Sequence, residues 1–451
     1  MGVIDLIIEN TTIPTDAGLV IGSILIDEGK ILKVKRTPLL VDADVRIDGN
    51  GLIALPGAVD VHVHFRDFDL AYKEDFYSGS CAAVAGGVTT VFDMPNTKPP
   101  VNNSYYLEQR ISLGKMKSLT NFAFHVGYPD NDKNLEKELV DMYELGARSI
   151  KLYAYEHDNF SNVLEKIIEV VKKKGLRDFR FCIHAEDKAM IEKNEKTHES
   201  HIKDLEYHNL VRSEYAEAKV VSEVLNMVRK HKIPVHICHI SSQLSINLLK
   251  EAKKEKLPIS TEVTPHHVFL YLEKVKPMGP FAKTNPPIRP RETSLKLLDA
   301  LINGPIDFIS SDHAPHTYRE KERGIDDIRE APSGVVGVET LLPLMFDLLS
   351  RDMITFSRFL EVVSYKQIET FKIKNKGGLT SGYDADLVLI DPKTEWTIKG
   401  ENLHGRTKFT PFEGQKVKGL VKYTIVQGLL VYDNGDILIK NGVGEYIGEE
   451  W

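Results

Sequence analysis

The chain changes its hydrophobic rhythm twice. In the first stretch, apolar and polar positions alternate in short segments broken by turn residues, which predicts strands at Ile4–Glu9, Val20–Asp27, Ile31–Lys35 and Ala43–Asp48. The C-terminal stretch returns to that rhythm at Ala385–Ile390, Lys418–Gln427 and Leu429–Tyr432, with Gly382, Gly428 and Gly435 as punctuation. Between them lie eight short apolar runs: Ala58–His64, Thr89–Met94, Asn121–Val126, Ser149–Tyr153, Phe179–His184, Pro234–Ile240, Ile259–Val263 and Ile306–Ser311. Helix-length amphipathic segments separate the runs. In Ser161–Lys174, Val163, Leu164, Ile167, Ile168 and Val171 form one stripe, and Gly175 is a natural stop.

Strands alternating with helices predict an α/β fold with a parallel sheet, and a count of eight favours a closed (β/α)8 TIM barrel over residues 56–374. An open doubly wound sheet is the alternative, but no glycine-rich turn follows the first run. Neither end of the chain has enough strands for a core of its own. Residues 1–55 and 375–451 are therefore expected to pair into one small composite β-sandwich domain.

Composition narrows the function. Lys plus Arg is 58 against 65 Asp plus Glu, a net charge of −7, which suits neither nucleic acid nor an anionic membrane surface. Apolar residues at 42% and charged residues at 27% are a globular balance. Cys81, Cys182 and Cys238 are too few and too scattered for a disulfide framework, which fits a reducing, cytoplasmic setting. The opening MGVIDLIIEN resembles no secretion signal, and no apolar run approaches membrane-spanning length. The unusual count is 16 histidines.

Their positions follow the strand ends. The first run closes as VDVHVHFRD, where alternation puts His62 and His64 on the inward face and Val59, Val61 and Val63 on the other. Run five closes with His184 and run six carries His236 and His239. Their odd spacing places only one of these two inward, with His239 preferred because it ends the run. Run eight closes as ISSDHAPH, supplying Asp312, His313 and His316. A barrel gathers its strand ends into one mouth, so these residues form a candidate metal centre in which Asp312 could both ligate an ion and accept a proton. Lys151 sits mid-strand in SIKLYAY, where a free ammonium is costly to bury. Spacing does not choose between a lysine paired with a carboxylate and one converted to a carbamate.

Together the motifs resemble the cyclic amidohydrolases, and within them the dihydroorotases. The similarity runs through PGAVDVHVHFRD, DMPNTKPP, HAED, TEVTPHH, KTNPPIR, SDHAPH, EAPSGVVGVET, SGYDADLVLID and TPFEG. Two places differ from the family pattern: Phe68 and Asp69 follow Asp67 where Pro-Gly is common, and Ser333 and Val336 stand at positions often proline.

The resemblance implies a zinc-dependent hydrolase with two Zn2+ per subunit. His62 and His64 would hold the more buried ion with Asp312, His184 and His239 the second, and a carboxylated Lys151 would bridge both. Arg66, Asn96 and His316 would take the substrate carboxylate, Asn285 would lie against the ring, and the backbone at Ser333 and Gly334 would meet its polar edge. The implied reaction is the reversible cyclisation of N-carbamoyl-L-aspartate to L-dihydroorotate in pyrimidine synthesis, through a zinc-bound hydroxide with Asp312 moving the proton. The rival readings are a hydantoinase or allantoinase acting on an uncharged ring, and an inactive scaffold relative. Oligomeric state stays open, a homodimer being one option. So does the charged segment Thr317–Glu330, a mobile lid or a plain surface loop.

Overall fold

The computed structural model describes residues 3–15, 18–36, 41–129 and 132–450. The outermost residues of the expected terminal module, 1–2 and 451, lie outside them.

The described residues form seventeen strands. The first five are β1 (Ile4–Thr15), β2 (Gly18–Asp27), β3 (Lys30–Lys35), β4 (Ala43–Asp48) and β5 (Ile53–Pro56). The barrel strands follow: β6 (Ala58–Val63), β7 (Val88–Asp93), β8 (Asn121–Phe124), β9 (Ser149–Tyr153), β10 (Arg180–His184), β11 (Val235–Ile237), β12 (Ile259–Val263) and β13 (Phe308–Ile309). Each falls in one of the eight apolar runs, except that β7 begins one residue earlier, at Val88. The last four are β14 (Leu387–Thr397), β15 (Lys416–Val426), β16 (Leu429–Asp433) and β17 (Asp436–Ile437).

The barrel strands pair in parallel as β6-β7-β8 and β9-β10-β11-β12-β13. Two parallel bridges, Val126 to Ile150 and Val63 to His313, join these sheets at both seams and close the ring. Helices cover the outside. The helix Phe160–Lys174 buries Leu164, Ile167, Ile168 and Val171 and stops at Gly175, whose φ of 64° suits a residue without a Cβ.

The two chain ends share one nine-stranded sheet in which β5 pairs antiparallel with β14, Leu387 opposite Pro56 through Ile390 opposite Ile53. Strand β1 carries β4 on its first half and β5 at Thr12, either side of an irregularity between Ile8 and Thr11. Leu6, Ile8, Ile24, Ile26, Ile47, Leu387, Leu389 and Ile425 pack into one cluster enclosed by this sheet. Beyond β17 the chain returns to the barrel: Glu445 accepts from the Phe122 amide, and the Tyr446 hydroxyl donates to Leu145 O.

The expected side-chain alternation fails in two places. Val59 and Val61 pack inside the barrel with Phe92, Cys182, Cys238 and Phe308, while only Val63 packs outward against the helices. The pairing of β6 with β7 shifts register between Asp60 and Val63, so the consecutive residues Val61 and His62 both reach the interior. On β11, His236 and His239 both point inward, contrary to the odd-spacing expectation. Regular pairing ends at Ile237, and His239 has a φ of 31° that turns its ring back toward the mouth.

Candidate active site

The C-terminal ends of the barrel strands enclose a cleft of about 160 Å³. Its lining includes His62, His64, Arg66, Asn96, His184, His239, Asn285, Asp312, His316, Ser333 and Gly334. Every site residue expected from the sequence is thus brought into one cleft except Lys151, which opens onto an adjoining cleft that shares Asn96 and Tyr153 with the first.

One side of the cleft is a cluster of metal-type donors. His62, His64 and Asp312 each offer a ligand atom within 4.8 Å of the others. Asp312 Oδ1 lies 3.0 Å from His64 Nε2 and 3.3 Å from His62 Nε2. The His184 and His239 rings meet edge to face with centres 4.4 Å apart, and His239 lies 5.3 Å from His62. Burial favours the neutral imidazoles: it pushes His64 and His184 down to about 4 and His239 well below its usual value. At Asp312 burial opposes the charge, but His62 and His64 outweigh it and hold the carboxyl below its usual range.

Outer partners fix several of these rings. His62 Nδ1 donates to Glu262 Oε1 at 2.5 Å, which leaves Nε2 facing Asp312. Burial and the Lys151 ammonium oppose a charged His62, yet the Glu262 and Asp312 carboxylates raise it to about 10. His64 Nδ1 lies 2.6 Å from Asn96 Oδ1. His184 Nε2 donates to Glu186 Oε2 at 2.5 Å, and Arg212 pairs with the same oxygen. A carboxylate behind an imidazole sets its tautomer and raises its basicity, as at metal centres generally. Glu262 and Glu186 were not singled out in the sequence, although TEVTPHH and HAED contain them. For Glu262 an acidic residue inside an apolar strand was the available signal, whereas Glu186 lies two residues past the end of β10 and had none.

Lys151 is 1% exposed, and its Nζ has no hydrogen-bond partner among the described residues. His239 Nδ1 is likewise unpartnered. Buried donors and acceptors are normally satisfied, so two such atoms beside a cluster of histidines fit a missing metal and its bridging group.

The other side of the cleft is cationic. Arg66 is buried, its Nε donates to Pro315 O, and its Nη2 lies 3.3 Å from His316 Nε2. Lys73 Nζ donates to His316 Nδ1 at 3.1 Å, so the remaining proton sits on Nε2 and is donated to Ser333 O at 3.0 Å. Burial, with Arg66, Lys321 and Lys73 nearby, keeps His316 neutral by pushing its pKa well down. Ser333 Oγ donates to Asn285 Oδ1 at 2.9 Å. Gly334 has a φ of 139°, and a Cβ there would fall 2.5 Å from Ala314 O, so the loop can pass this close only as glycine.

Backbone strain concentrates here. Arg66, Asp67 and Phe68 have φ of 57°, 58° and 45°, and Asp312 has 47°, all left-handed without glycine. Asp67 compensates by accepting from the Phe76 amide and from Lys117 Nζ, each at 3.1 Å. Proline, whose φ is fixed at about −65°, could not adopt this Phe68 backbone. The segment Thr317–Glu330 contains the helix Tyr318–Glu322, capped by Thr317, and is anchored by Glu320 on Lys73 and by buried Lys321 on Lys283 O and Pro332 O.

Comparison with known proteins finds matches over most of the chain. Residues 53–431 match the model of the Amidohydrolase family. A protein of Methanosarcina acetivorans named dihydroorotase is 36% identical, over 98% of this chain and 95% of its own. One of Pyrococcus furiosus with the same name is 36% identical, over 93% and 91%. The solved L-hydantoinase (dihydropyrimidinase) of Arthrobacter aurescens superposes with a TM-score of 0.91 at 27% identity, covering 98% of this chain and 99% of that one.

Proposed function

We propose that this chain, which belongs to the amidohydrolase family, is a dihydroorotase that interconverts L-dihydroorotate and N-carbamoyl-L-aspartate in pyrimidine synthesis. The observation that carries the reading is the polarity of one small cleft. Arg66 and neutral His316 form a carboxylate-binding end, and the cluster of His62, His64, His184, His239 and Asp312 forms a reactive end. A guanidinium is the side chain best suited to planar recognition of a carboxylate, and dihydroorotate carries one on its ring. Hydantoin rings lack that carboxylate, so Arg66 would be buried opposite an uncharged edge.

His62, His64 and Asp312 would hold one metal ion and His184 and His239 a second. Lys151, carboxylated by adding carbon dioxide to Nζ with loss of a proton, would bridge them. Zinc fits the nitrogen and oxygen donors, and when bound it acidifies water and polarises a carbonyl oxygen. Arg66 and His316, with Asn96 alongside, would orient the ring by its carboxylate. Asn285 and the backbone at Ser333 and Gly334 would limit its rotation. The Asp312 carboxylate would take a proton from the attacking water and pass it to the ring nitrogen as the amide C–N bond breaks; cyclisation is the reverse. His64, His184 and His239, kept neutral by burial, suit ligation near pH 7, whereas His62, held charged by Glu262 and Asp312, would release its proton on binding a metal.

We place the protein in the cytoplasm, where its three cysteines stay reduced; all three are free and buried, and no helix among the described residues is long and apolar enough to cross a membrane. The barrel unit is taken as residues 56–374 and the β module as 1–55 with 375–451.

Arg66→Ala tests the reading. The KM for dihydroorotate should rise by about 10–100-fold, the cost of one charge-assisted contact. An unchanged KM would remove the carboxylate assignment.

A further inference from the structure

A cavity of about 440 Å³ lies at the opposite end of the barrel from the active site. Its lining comes from the starts of the strands. Arg148 precedes β9, Arg180 opens β10 and Pro234 precedes β11, with Thr370–Lys374 closing the far wall. Five basic side chains, Arg148, Arg177, Arg180, Lys372 and Lys374, face one acid, Asp178, in a chain whose net charge is −7. Asp178 is already paired with Lys372.

The three arginines make no salt bridge among the described residues, and two of them are fixed in place. Arg180 donates Nη2 to Thr370 O at 2.7 Å and Nη1 to Ser260 Oγ at 3.3 Å, with its guanidinium 5.6 Å from the centre of the Phe371 ring. Arg148 donates Nη1 to Tyr143 O at 2.6 Å and lies 3.9 Å over the Tyr143 ring. Each guanidinium has five N–H donors, and these bonds leave several unused. Only Arg177 is exposed. Arg148 and Arg180, half-buried and without a direct salt bridge among the described residues, carry a desolvation cost that an anion would relieve. The volume is within the usual range for small-molecule sites.

We propose that this cavity at the N-terminal mouth of the barrel is a second binding site, for a small phosphate-bearing anion such as a nucleoside polyphosphate or inorganic pyrophosphate. Arg148, Arg177 and Arg180 would contact the phosphate oxygens, and Tyr143 and Phe371 would border the rest of the ligand.

The test is calorimetric titration of the full chain with pyrophosphate and, separately, with adenosine triphosphate. The expected result is one saturable site that weakens as salt rises. Arg177→Glu, a surface change that leaves the fold intact, should weaken binding by about tenfold or more, and Arg180→Gln should do the same. Lys250→Glu, at an exposed position outside the cavity lining, should leave it unchanged. Tighter binding of the nucleotide would identify a nucleotide site, and equal binding a site that reads phosphate alone. No saturable binding up to about 10 mM, a Kd too weak for any specific site, would overturn the proposal. So would binding that survives both arginine variants, or binding displaced by dihydroorotate.

Discussion

Two lysines are buried to almost the same degree in different parts of this molecule. Lys376, at the edge of the β module, is 4% exposed and donates to Asp384 at 2.9 Å and Asp386 at 2.7 Å. Lys151, in a barrel strand, is 1% exposed and has no hydrogen-bond partner among the described residues. Burial opposes the charge on Lys376, but the two carboxylates overcome it and raise its pKa above the usual value. The first lysine is complete as the chain folds it. The second is not, and the proposed carboxylation would supply its partners. A buried polar group left unsatisfied by its own fold is a stronger pointer to function than burial or charge alone.

The contrast can be broken by exchanging what each lysine does. Lys151→Met should abolish metal retention and lower kcat/KM beyond the about 10–100-fold that loss of an outer partner costs, without destabilising the metal-free protein. Metal content and urea unfolding measured on one preparation would check both halves; a large loss of stability would make Lys151 a structural residue. Lys376→Met should do the reverse. Asp384 would keep Lys30, and Asp386 would keep Asn121 Nδ2 and the Gln427 amide, so losing Lys376 should cost about 1–3 kcal/mol of unfolding free energy while the activity of the folded fraction is unchanged. Glu262→Gln is a smaller change, keeping a partner for His62 but losing its charge. It should weaken metal affinity by about 10–100-fold with little loss of stability, read from a chelator competition.

The smallest expected effect is on pH. Burial lowers His64 and His184 to about 4 and His125 and His208 to about 3, whereas an unfolded imidazole titrates near 6.5. As pH falls from about 6.5 toward 4, the unfolded chain takes up protons that the folded one refuses, so the metal-free protein should lose stability across that window. Glu217, raised to about 7, and Asp60, raised to about 6, act in the opposite sense but are outnumbered. His62, raised to about 10, is protonated in both states below about 6.5 and adds nothing across the window. A urea midpoint that stayed level or rose between pH 7 and pH 5 would contradict the assigned neutral histidines.

Much of this was readable from the chain. All eight barrel strands lie in apolar runs because a parallel barrel strand is covered on both faces and needs no polar alternation. The helix ending at Gly175 was equally plain. Strands β5 and β17 were missed because four and two residues are too short to show a period. The register shift on β6 and the left-handed turn at His239 were also hidden, since neither carries a glycine to announce it. In the site, the histidines and Asp312 stood out by repeating at strand ends. Glu262, Glu186 and Lys73 did not, because each acts through another side chain and has no spacing of its own.

The central claim is that Arg66 and His316 select a ring bearing a carboxylate. Its most direct test is kcat/KM of the zinc-loaded protein for L-dihydroorotate and for hydantoin, side by side. The account predicts a preference for dihydroorotate of at least about 100-fold, as expected where a buried charged group would otherwise stand unpaired. Equal rates, or a preference for hydantoin, would contradict it.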